Sequence, residues 1–243
     1  MKHRISKWCV AVASLLSLAG MLALPAAAQE ETSYETWPEV NAFVKLSENS
    51  RLFFLGAGTK VKEQGYSDGA LGVHVDIFTS PVLKSRLERT AHRADVARNK
   101  FVQLRIGYLY SRSAKGSSSK FVEHTPTFEL SPRFYLAKHV LVTSRVRGDL
   151  RLVDGVFTPR LRFREKVERS FHIKRFALTP YAHAETFYDW RYDVWHRFRY
   201  SAGAEWELNR HVVLEGYYLR QRDNRASTRY LNAIGIALQL YVQ

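Results

Sequence analysis

Two stretches of the chain place charged residues at every second position, with small or apolar residues between them. Guanidinium groups arranged in rows bind anions, because each one combines a fixed positive charge with several hydrogen-bond donors. The alternation also places the whole row on one face of an extended strand. The charged residues of the two stretches are Arg145, Arg147, Asp149 and Arg151 in the first, and Arg160, Arg162, Arg164 and Lys166 in the second.

A second pair of alternating cations, Arg197 and Arg199, lies further along the chain. We expect these two arginines to share a basic surface with the rows at 145–149 and 160–164. Nearby carboxylates would partly neutralise that surface, and we predict Asp149, Glu185 and Glu205 as the counter-charges. The chemistry expected of such a surface is the binding or passage of small anions.

Hydrolysis is the alternative chemistry. A lipid hydrolase needs a nucleophile, a histidine base and an orienting third group. His183, Glu185 and Ser201 fall on neighbouring predicted strands and could approach one another. However, they lie on the polar face, whereas a lipid substrate would arrive from the apolar side, and no nucleophile-elbow motif occurs. The sequence therefore favours a non-enzymatic protein.

Two histidine–carboxylate pairs could suggest a metal, namely His74 with Asp76 and Glu123 with His124. Each pair offers only two ligands, fewer than a structural or catalytic zinc site uses. We expect neither a metal site nor a cofactor.

The segments that must position these residues are strand-like runs with a period of two, separated by turn-forming residues. Eleven such runs occur, most of them close to the roughly 9–11 residues that a tilted membrane strand needs. Their bounds are Val40–Leu46, Leu52–Thr59, Gly69–Phe78, Phe101–Tyr110, Phe121–Leu130, His139–Leu150, Val156–Val167, Arg175–Phe187, Trp195–Leu208, His211–Arg220 and Thr228–Val242.

This pattern predicts one all-β sheet closed on itself as an up-and-down antiparallel barrel of ten to twelve strands. Bacterial single-chain barrels normally have an even number of strands. Either Tyr34 to Trp37 adds a twelfth strand, or one of the eleven runs is not a strand. The charged segment Ser80 to Lys100 lacks alternation and suggests a short surface helix or a loop.

The last run indicates which face points outward. Ile234 and Ile236 belong to an aliphatic row, and Ala233, Gly235 and Ala237 belong to a row of small residues. An apolar exterior around a crowded polar interior fits these rows. The arginine rows require the same orientation, because cations on a lipid face cost about 2–4 kcal/mol each near the bilayer centre. A soluble periplasmic barrel that binds an apolar ligand would require the reverse arrangement.

Aromatic residues cluster around the turn near position 190, as expected of a girdle at a bilayer interface. The cluster contains Phe187, Tyr188, Trp190, Tyr192, Trp195, Phe198 and Tyr200.

The N-terminus has the composition of a secretory signal. Lys2, Arg4 and Lys7 precede an apolar stretch, and Ala26 to Ala28 offer a cleavage site before Gln29. This predicts residues 1–28 as a signal peptide and residues 29–243 as one barrel domain. Cleavage removes three cations, which lowers the formal charge from +14 to +11, and it removes the single cysteine, Cys9. Export makes nucleic acid an improbable partner for this basic chain.

Several segments resemble the bacterial domain-of-unknown-function family 2490. They are WPEV, KLSENSRLFFL, FVQLRIGYLYSR, TPYAHAETFYDWR, HRFRYSAGAEW and LEGYYLRQRD. The resemblance implies an exported outer-membrane β-barrel and assigns no biochemical activity.

The sequence as a whole predicts an outer-membrane barrel with a basic, partly salt-bridged lumen. Its expected role is to bind or pass small anionic solutes, or to serve as a structural part of the envelope. The expected partners are outer-membrane lipid and anionic solutes, with no nucleic acid, and the oligomeric state stays open. A lipid-modifying hydrolase and a soluble periplasmic barrel are the alternatives.

Overall fold

The structure is a computed structural model. It describes residues 32–62, 65–79, 94–117, 120–137, 140–173, 176–226 and 229–242. The predicted signal peptide and its cleavage site before Gln29 lie outside these residues.

The described chain consists almost entirely of strands. They are β1 (Thr32–Ser47), β2 (Ser50–Val61), β3 (Gly65–Phe78), β4 (Val102–Ser113), β5 (Val122–Ala137), β6 (Val140–Asp149), β7 (Leu152–Val153), β8 (Val156–Phe157), β9 (Arg160–Arg169), β10 (Phe171–Ile173), β11 (Phe176–Asp189), β12 (Val194–Glu207), β13 (Val212–Asp223) and β14 (Tyr230–Val242). A 3-10 turn, η1, spans Val96–Asn99 between β3 and β4. Among the residues that the structure describes, no helix has the length and apolar character needed to cross a bilayer.

Eleven long strands form a closed ring in chain order. Short strands β7 and β8 form a hairpin beside β5, and β10 pairs only with β11. All neighbours in the ring pair antiparallel except β1 and β14, which pair in parallel from Thr32 opposite Tyr230 to Val44 opposite Val242. The expectation of a purely antiparallel barrel is therefore wrong at this seam. In a meander with an odd number of strands, the first and last strands run in the same direction.

The eleven runs predicted from the sequence correspond one to one with these strands. Tyr34 to Trp37 extends β1 and does not form a twelfth strand. Part of the segment Ser80 to Lys100, residues 80–93, lies outside the described residues. Residues 94–100 are neither a surface helix nor a surface loop, because Ala94, Asp95 and Arg98 are buried inside the barrel.

The faces of β14 are arranged as the alternation predicts. Ile234 and Ile236 are 58% and 53% exposed, whereas Ala233 and Ala237 are each 1% exposed. Exposed aliphatic and aromatic side chains continue around the outer face, as with Leu71 on β3 and Ile106 on β4. The inside-out arrangement expected of a soluble ligand-binding barrel is therefore not the one adopted.

Most side chains of the aromatic cluster near position 190 are exposed. Trp190, Trp195 and Tyr200 are each about half exposed on the outside. Phe187 is only 1% exposed and faces the lumen, so its assignment to the girdle is wrong. Its position in the alternation explains this, because it shares a face of β11 with Glu185 and Asp189, which are also buried.

The two strands of the parallel seam define names for the two ends of the barrel. We call the end at which β1 and β14 begin, with Thr32 and Tyr230, the entry end. We call the opposite end, at which β14 finishes with Val242, the exit end. Because neighbouring strands alternate in direction, η1 lies in the connection between β3 and β4 at the exit end.

Candidate functional site

The predicted arginines all belong to the inner face of the barrel. Five of them line an internal cavity of about 410 Å³, and Arg160 and Arg197 lie beside it, with their guanidinium groups over the ring of the buried Phe187. The five that line the cavity are Arg145, Arg147, Arg162, Arg164 and Arg199. The role of these residues in binding anions stays a prediction.

Strand register explains why these cations lie so close together. Arg145 is directly opposite Arg164, and Arg147 is directly opposite Arg162. Like charges in opposing positions destabilise a sheet. The arrangement therefore requires carboxylates from the neighbouring strands, and β5 and β11 supply them.

Glu185 is the carboxylate around which four arginines gather. Its Oε1 accepts hydrogen bonds from Arg145 Nη2 at 2.5 Å and Arg162 Nε at 2.9 Å. Its Oε2 lies 3.5 Å from Arg164 Nη2 and 3.6 Å from Arg199 Nη1, which are ion-pair contacts and not hydrogen bonds. We refer to these five residues as the Glu185 cluster. Four positive charges gather around this buried carboxylate, and Arg145 also lies 3.5 Å from Oε2 of the buried Glu129.

Asp149 neutralises the adjacent part of the lumen. Its Oδ1 accepts a hydrogen bond from Arg147 Nε at 2.6 Å, and its Oδ2 accepts one from Arg160 Nη2 at 2.8 Å. Arg162 Nη1 lies 3.7 Å from the same oxygen, so this arginine connects Asp149 with the Glu185 cluster. Asp149 therefore pairs with three arginines of the lumen.

Phe187 lies beneath the arginines on the lumen side of β11. The guanidinium carbons of Arg162 and Arg199 lie 4.8 Å and 5.0 Å from its ring centroid, and those of Arg160 and Arg197 lie within 5.5 Å. A ring face attracts cations, and the effect is largest where water is excluded. Phe187 thus holds the four guanidinium groups in place without neutralising their charge.

Glu205 is also buried and paired, but with partners that the sequence did not suggest. Its Oε2 accepts a hydrogen bond from Arg98 Nη2 at 2.6 Å, and its Oε1 accepts one from Lys166 Nζ at 3.2 Å. Arg197 donates to Asp223 at 2.8 Å, and Arg199 donates to Gln221 at 2.7 Å.

The segment Ala94–Lys100, which we call the plug, occupies the lumen at the exit end. In addition to its contact with Glu205, Arg98 donates a hydrogen bond to Glu168 at 2.9 Å. Arg51 Nη1 donates a hydrogen bond to Asp95 of the plug at 2.8 Å. Arg133 Nη1 donates to the carbonyl of Ala97 at 2.9 Å. Burial works against the charge of Arg98, but the carboxylates of Glu168 and Glu205 outweigh it and hold the pKa of this guanidinium well above its ordinary value.

The cavity lies between the plug and the Glu185 cluster and has an apolar side as well as a basic side. Trp37 and Leu55 belong to its lining. The Trp37 ring centroid is 5.1 Å from the guanidinium carbon of Arg199. On the basic side, Arg164 Nε and Arg145 Nε are buried and have no hydrogen-bond partner among the described residues. The guanidinium groups that line this side give the cavity the charge that suits a small anion.

Another part of the cavity wall is shaped by the packing of Tyr217 against a glycine. The ring of Tyr217 lies over Gly235, so that a Cβ at this glycine would be 1.9 Å from the ring. The hydroxyl of Tyr217 donates to Glu39 at 2.6 Å. Gly235 therefore provides the space in which Tyr217 reaches its partner.

The residues of the hydrolase alternative are adjacent but do not form a triad. His183 is directly opposite Ser201 in the register of β11 and β12. Ser201 Oγ nevertheless donates to the carbonyl of Tyr218 at 2.9 Å. Neither ring nitrogen of His183 has a hydrogen-bond partner among the described residues. The serine is therefore not activated by the histidine in this arrangement.

In the described part of the chain, no three histidine, aspartate, glutamate or cysteine side chains are grouped so that they could hold a metal ion. His74 is stacked on Phe53, with ring centroids 5.3 Å apart, and Asp76 is engaged by Arg51 and Arg105.

Several lumen charges were missed by the sequence analysis. Arg105 lies directly opposite Asp76, and Glu129 lies directly opposite Arg147, so the alternation within β3, β4 and β5 could have revealed them. Arg98 could not have been found in this way, because it lies in an irregular segment.

Comparison with known proteins gives a family but no function. The family model described as protein of unknown function DUF2490 matches residues 84–232, well over half of the chain. No curated protein matches the sequence. Among solved structures, the chain is similar to the β domain of the Bordetella autotransporter Brka, with 14% sequence identity, a TM-score of 0.41, and coverage of 82% of this chain and 83% of that one. The chain therefore belongs to the DUF2490 family of proteins of unknown function.

Proposed function

We propose that the protein spans the bacterial outer membrane as a β-barrel and binds small anionic solutes in its basic lumen, without catalysing a reaction. The Glu185 cluster is the observation that carries this proposal. It gathers four arginines around one carboxylate beside a cavity, so the local positive charge exceeds the negative charge.

The membrane location is supported by the outer face of the barrel. Water-soluble proteins seldom expose contiguous apolar surface beyond a few hundred Å². Here Leu71, Ile106 and Ile236 represent apolar rows that continue from strand to strand around the ring. A closed barrel also satisfies every backbone hydrogen bond, as a lipid environment requires. The predicted signal peptide would direct the chain to this location.

The choice of an anion as the bound solute follows from the arginines that line the cavity. They include Arg145, Arg164 and Arg199. The buried Nε atoms of Arg145 and Arg164 also have no hydrogen-bond partner within the described structure. Fixed guanidinium donors in a site of low dielectric constant bind anions more strongly than the same groups would in water. A cation would meet repulsion from four arginines, whose charge Glu185, Glu129 and Asp149 neutralise only in part.

Passage of the solute is a further step that would require movement of the plug. The plug is held by ion pairs and hydrogen bonds at Asp95, Ala97 and Arg98. Such contacts can be exchanged for contacts with a solute. We therefore favour a lumen that binds anions while the plug is in place and conducts them only when it is displaced.

Fluorescence of Trp37 provides the test, because this side chain lines the cavity beside Arg199. Replacing Trp190, Trp195 and Trp206 with Phe leaves Trp37 as the only tryptophan of the predicted mature chain. We expect iodide to quench this fluorescence strongly and caesium to quench it weakly, since the basic lumen concentrates anions and excludes cations.

Charge variants connect the quenching with the lumen. In an Arg162→Gln and Arg164→Gln double variant, we expect iodide quenching to fall at least several-fold. An Arg169→Gln variant removes an exposed cation from the outer face and should leave quenching unchanged. Equal quenching by iodide and caesium, or an unchanged response in the double variant, would refute anion binding and leave a structural envelope role.

A further inference from the structure

The outer rim of the barrel at the entry end carries a group of exposed cations. Arg220 and Arg222 lie on β13 and Lys60 lies on β2, on either side of the parallel seam between β14 and β1. Arg220 and Arg222 belong to the same outward row as the exposed Leu214 and Tyr218.

Strand register makes this group continuous. Arg220 is directly opposite Asn232 on β14, and Asn232 is directly opposite Tyr34 on β1. On the next strand, Lys60 is directly opposite the exposed Thr36 of β1. Four consecutive strands therefore present cations and hydrogen-bonding side chains side by side.

The contacts within this surface leave its charge unneutralised. The Arg220 guanidinium lies 5.2 Å from the ring centroid of Tyr230, and the Tyr218 hydroxyl donates to Asn232 Oδ1 at 2.7 Å. Within the described residues, Arg220, Arg222 and Lys60 form no ion pair. We call the set Arg220, Arg222, Lys60, Tyr34, Tyr218 and Asn232 the basic seam.

The apolar outer face begins immediately beyond the basic seam on the same strands. Ile234 and Ile236 follow Asn232 along β14, Val40 follows on β1, and all three are exposed. At the exit end of these strands, the outward residues are apolar, as with Leu46 and Val242. The basic seam therefore borders the apolar face at the entry end, and exposed cations at the exit end, such as Lys45 and Arg210, lie apart from it.

We propose that the basic seam binds the phosphate headgroup of anionic lipids in the leaflet at the entry end. Acyl chains would lie along the apolar rows of β14 and β1, while the arginines and Lys60 would contact the phosphate. Basic side chains at the edge of a membrane-spanning surface attract anionic lipids in this way. This inference rests on the membrane location in the proposed function and is independent of the lumen.

Spin-labelled lipids test this binding directly. The refolded chain is reconstituted in phosphatidylcholine vesicles that contain a small fraction of spin-labelled phosphatidic acid or spin-labelled phosphatidylcholine. Electron paramagnetic resonance then measures the fraction of each lipid immobilised at the protein surface. We expect a preference for phosphatidic acid that is lost in an Arg220→Gln, Arg222→Gln and Lys60→Gln triple variant.

Arg169→Gln is the matched control, because Arg169 is an exposed strand residue whose guanidinium also lies over an aromatic ring, at 4.8 Å from Phe171. This variant should keep the preference for phosphatidic acid. An unchanged preference in the triple variant would overturn the inference, as would abolition of the preference by inorganic phosphate, since the site would then take the free anion. If neither lipid were immobilised, the membrane location itself would be wrong.

Discussion

Arg98 is predicted to hold the plug inside the barrel. Its guanidinium reaches from η1 to Glu168 on β9 and to Glu205 on β12, at 2.9 Å and 2.6 Å. An Arg98→Gln substitution removes this charge from an environment in which all three side chains are buried. We expect the plug to leave the lumen more often as a result.

The size of the effect follows from the partners that lose their counter-charge. Breaking a buried ion pair by removing one partner typically costs about 3–5 kcal/mol. Lys166 still contacts both Glu168 and Glu205, at 2.7 Å and 3.2 Å, so the lower end of that range applies. A loss of about 3 kcal/mol corresponds to a roughly 100-fold larger population of displaced plug, because 1.4 kcal/mol is a factor of ten.

Thiol labelling can measure that population. The mature chain is predicted to contain no cysteine, so an Ala94→Cys substitution would introduce a single thiol. Ala94 is 5% exposed and belongs to a buried apolar cluster with Phe43 and Phe53. We expect a bilayer-impermeant maleimide to modify this thiol about 100-fold faster when Arg98→Gln is present. An Arg169→Gln control should leave the rate unchanged, and retained resistance to sodium dodecyl sulfate would show that the barrel stays closed. Rates within threefold of each other would refute the assigned role of Arg98.

Three further variants and one matched control test the lumen. Glu185→Gln leaves Arg145, Arg162, Arg164 and Arg199 without their shared carboxylate, and it should lower the free energy of unfolding by about 3–5 kcal/mol in urea titrations; a loss below 1 kcal/mol would contradict the clustering. Gly235→Ala places a Cβ against the ring of Tyr217 and should destabilise the barrel by about 1–3 kcal/mol. Gly216→Ala, where a Cβ meets nothing within 4 Å, should change stability little, and equal effects would contradict the packing argument. Replacing Arg160, Arg162 and Arg164 with Gln should weaken anion selectivity in any conducting form, and unchanged selectivity would remove this row from the ion pathway.

Alternation made the barrel and the orientation of its faces predictable. The row Ala233, Gly235 and Ala237 could face only a crowded interior, and the arginines at 160, 162 and 164 could not face lipid. The same rule would have placed Phe187 in the lumen, because it is two residues from Glu185. Its aromatic character and its position near the turn led to the wrong assignment.

The plug and the pairing of charges across the lumen could not be predicted from the sequence. Arg98 contacts Glu168 and Glu205 across separations of 70 and 107 residues. Such contacts depend on the tilt and stagger of the strands, which set the carboxylate that each cation meets. The sequence therefore predicted Glu205 as a counter-charge but could not show that Arg98 and Lys166 are the cations that reach it. The parallel seam likewise depends on the number of strands and not on any local motif.

Conductance in a planar lipid bilayer is the most direct test of a basic lumen inside a membrane barrel. The predicted mature chain, residues 29–243, would be refolded with Arg98→Gln and studied under a potassium chloride gradient. Insertion followed by single-channel steps with an anion-selective reversal potential is the expected result. Cation-selective steps, or failure of the folded barrel to insert, would contradict the proposed basic membrane barrel.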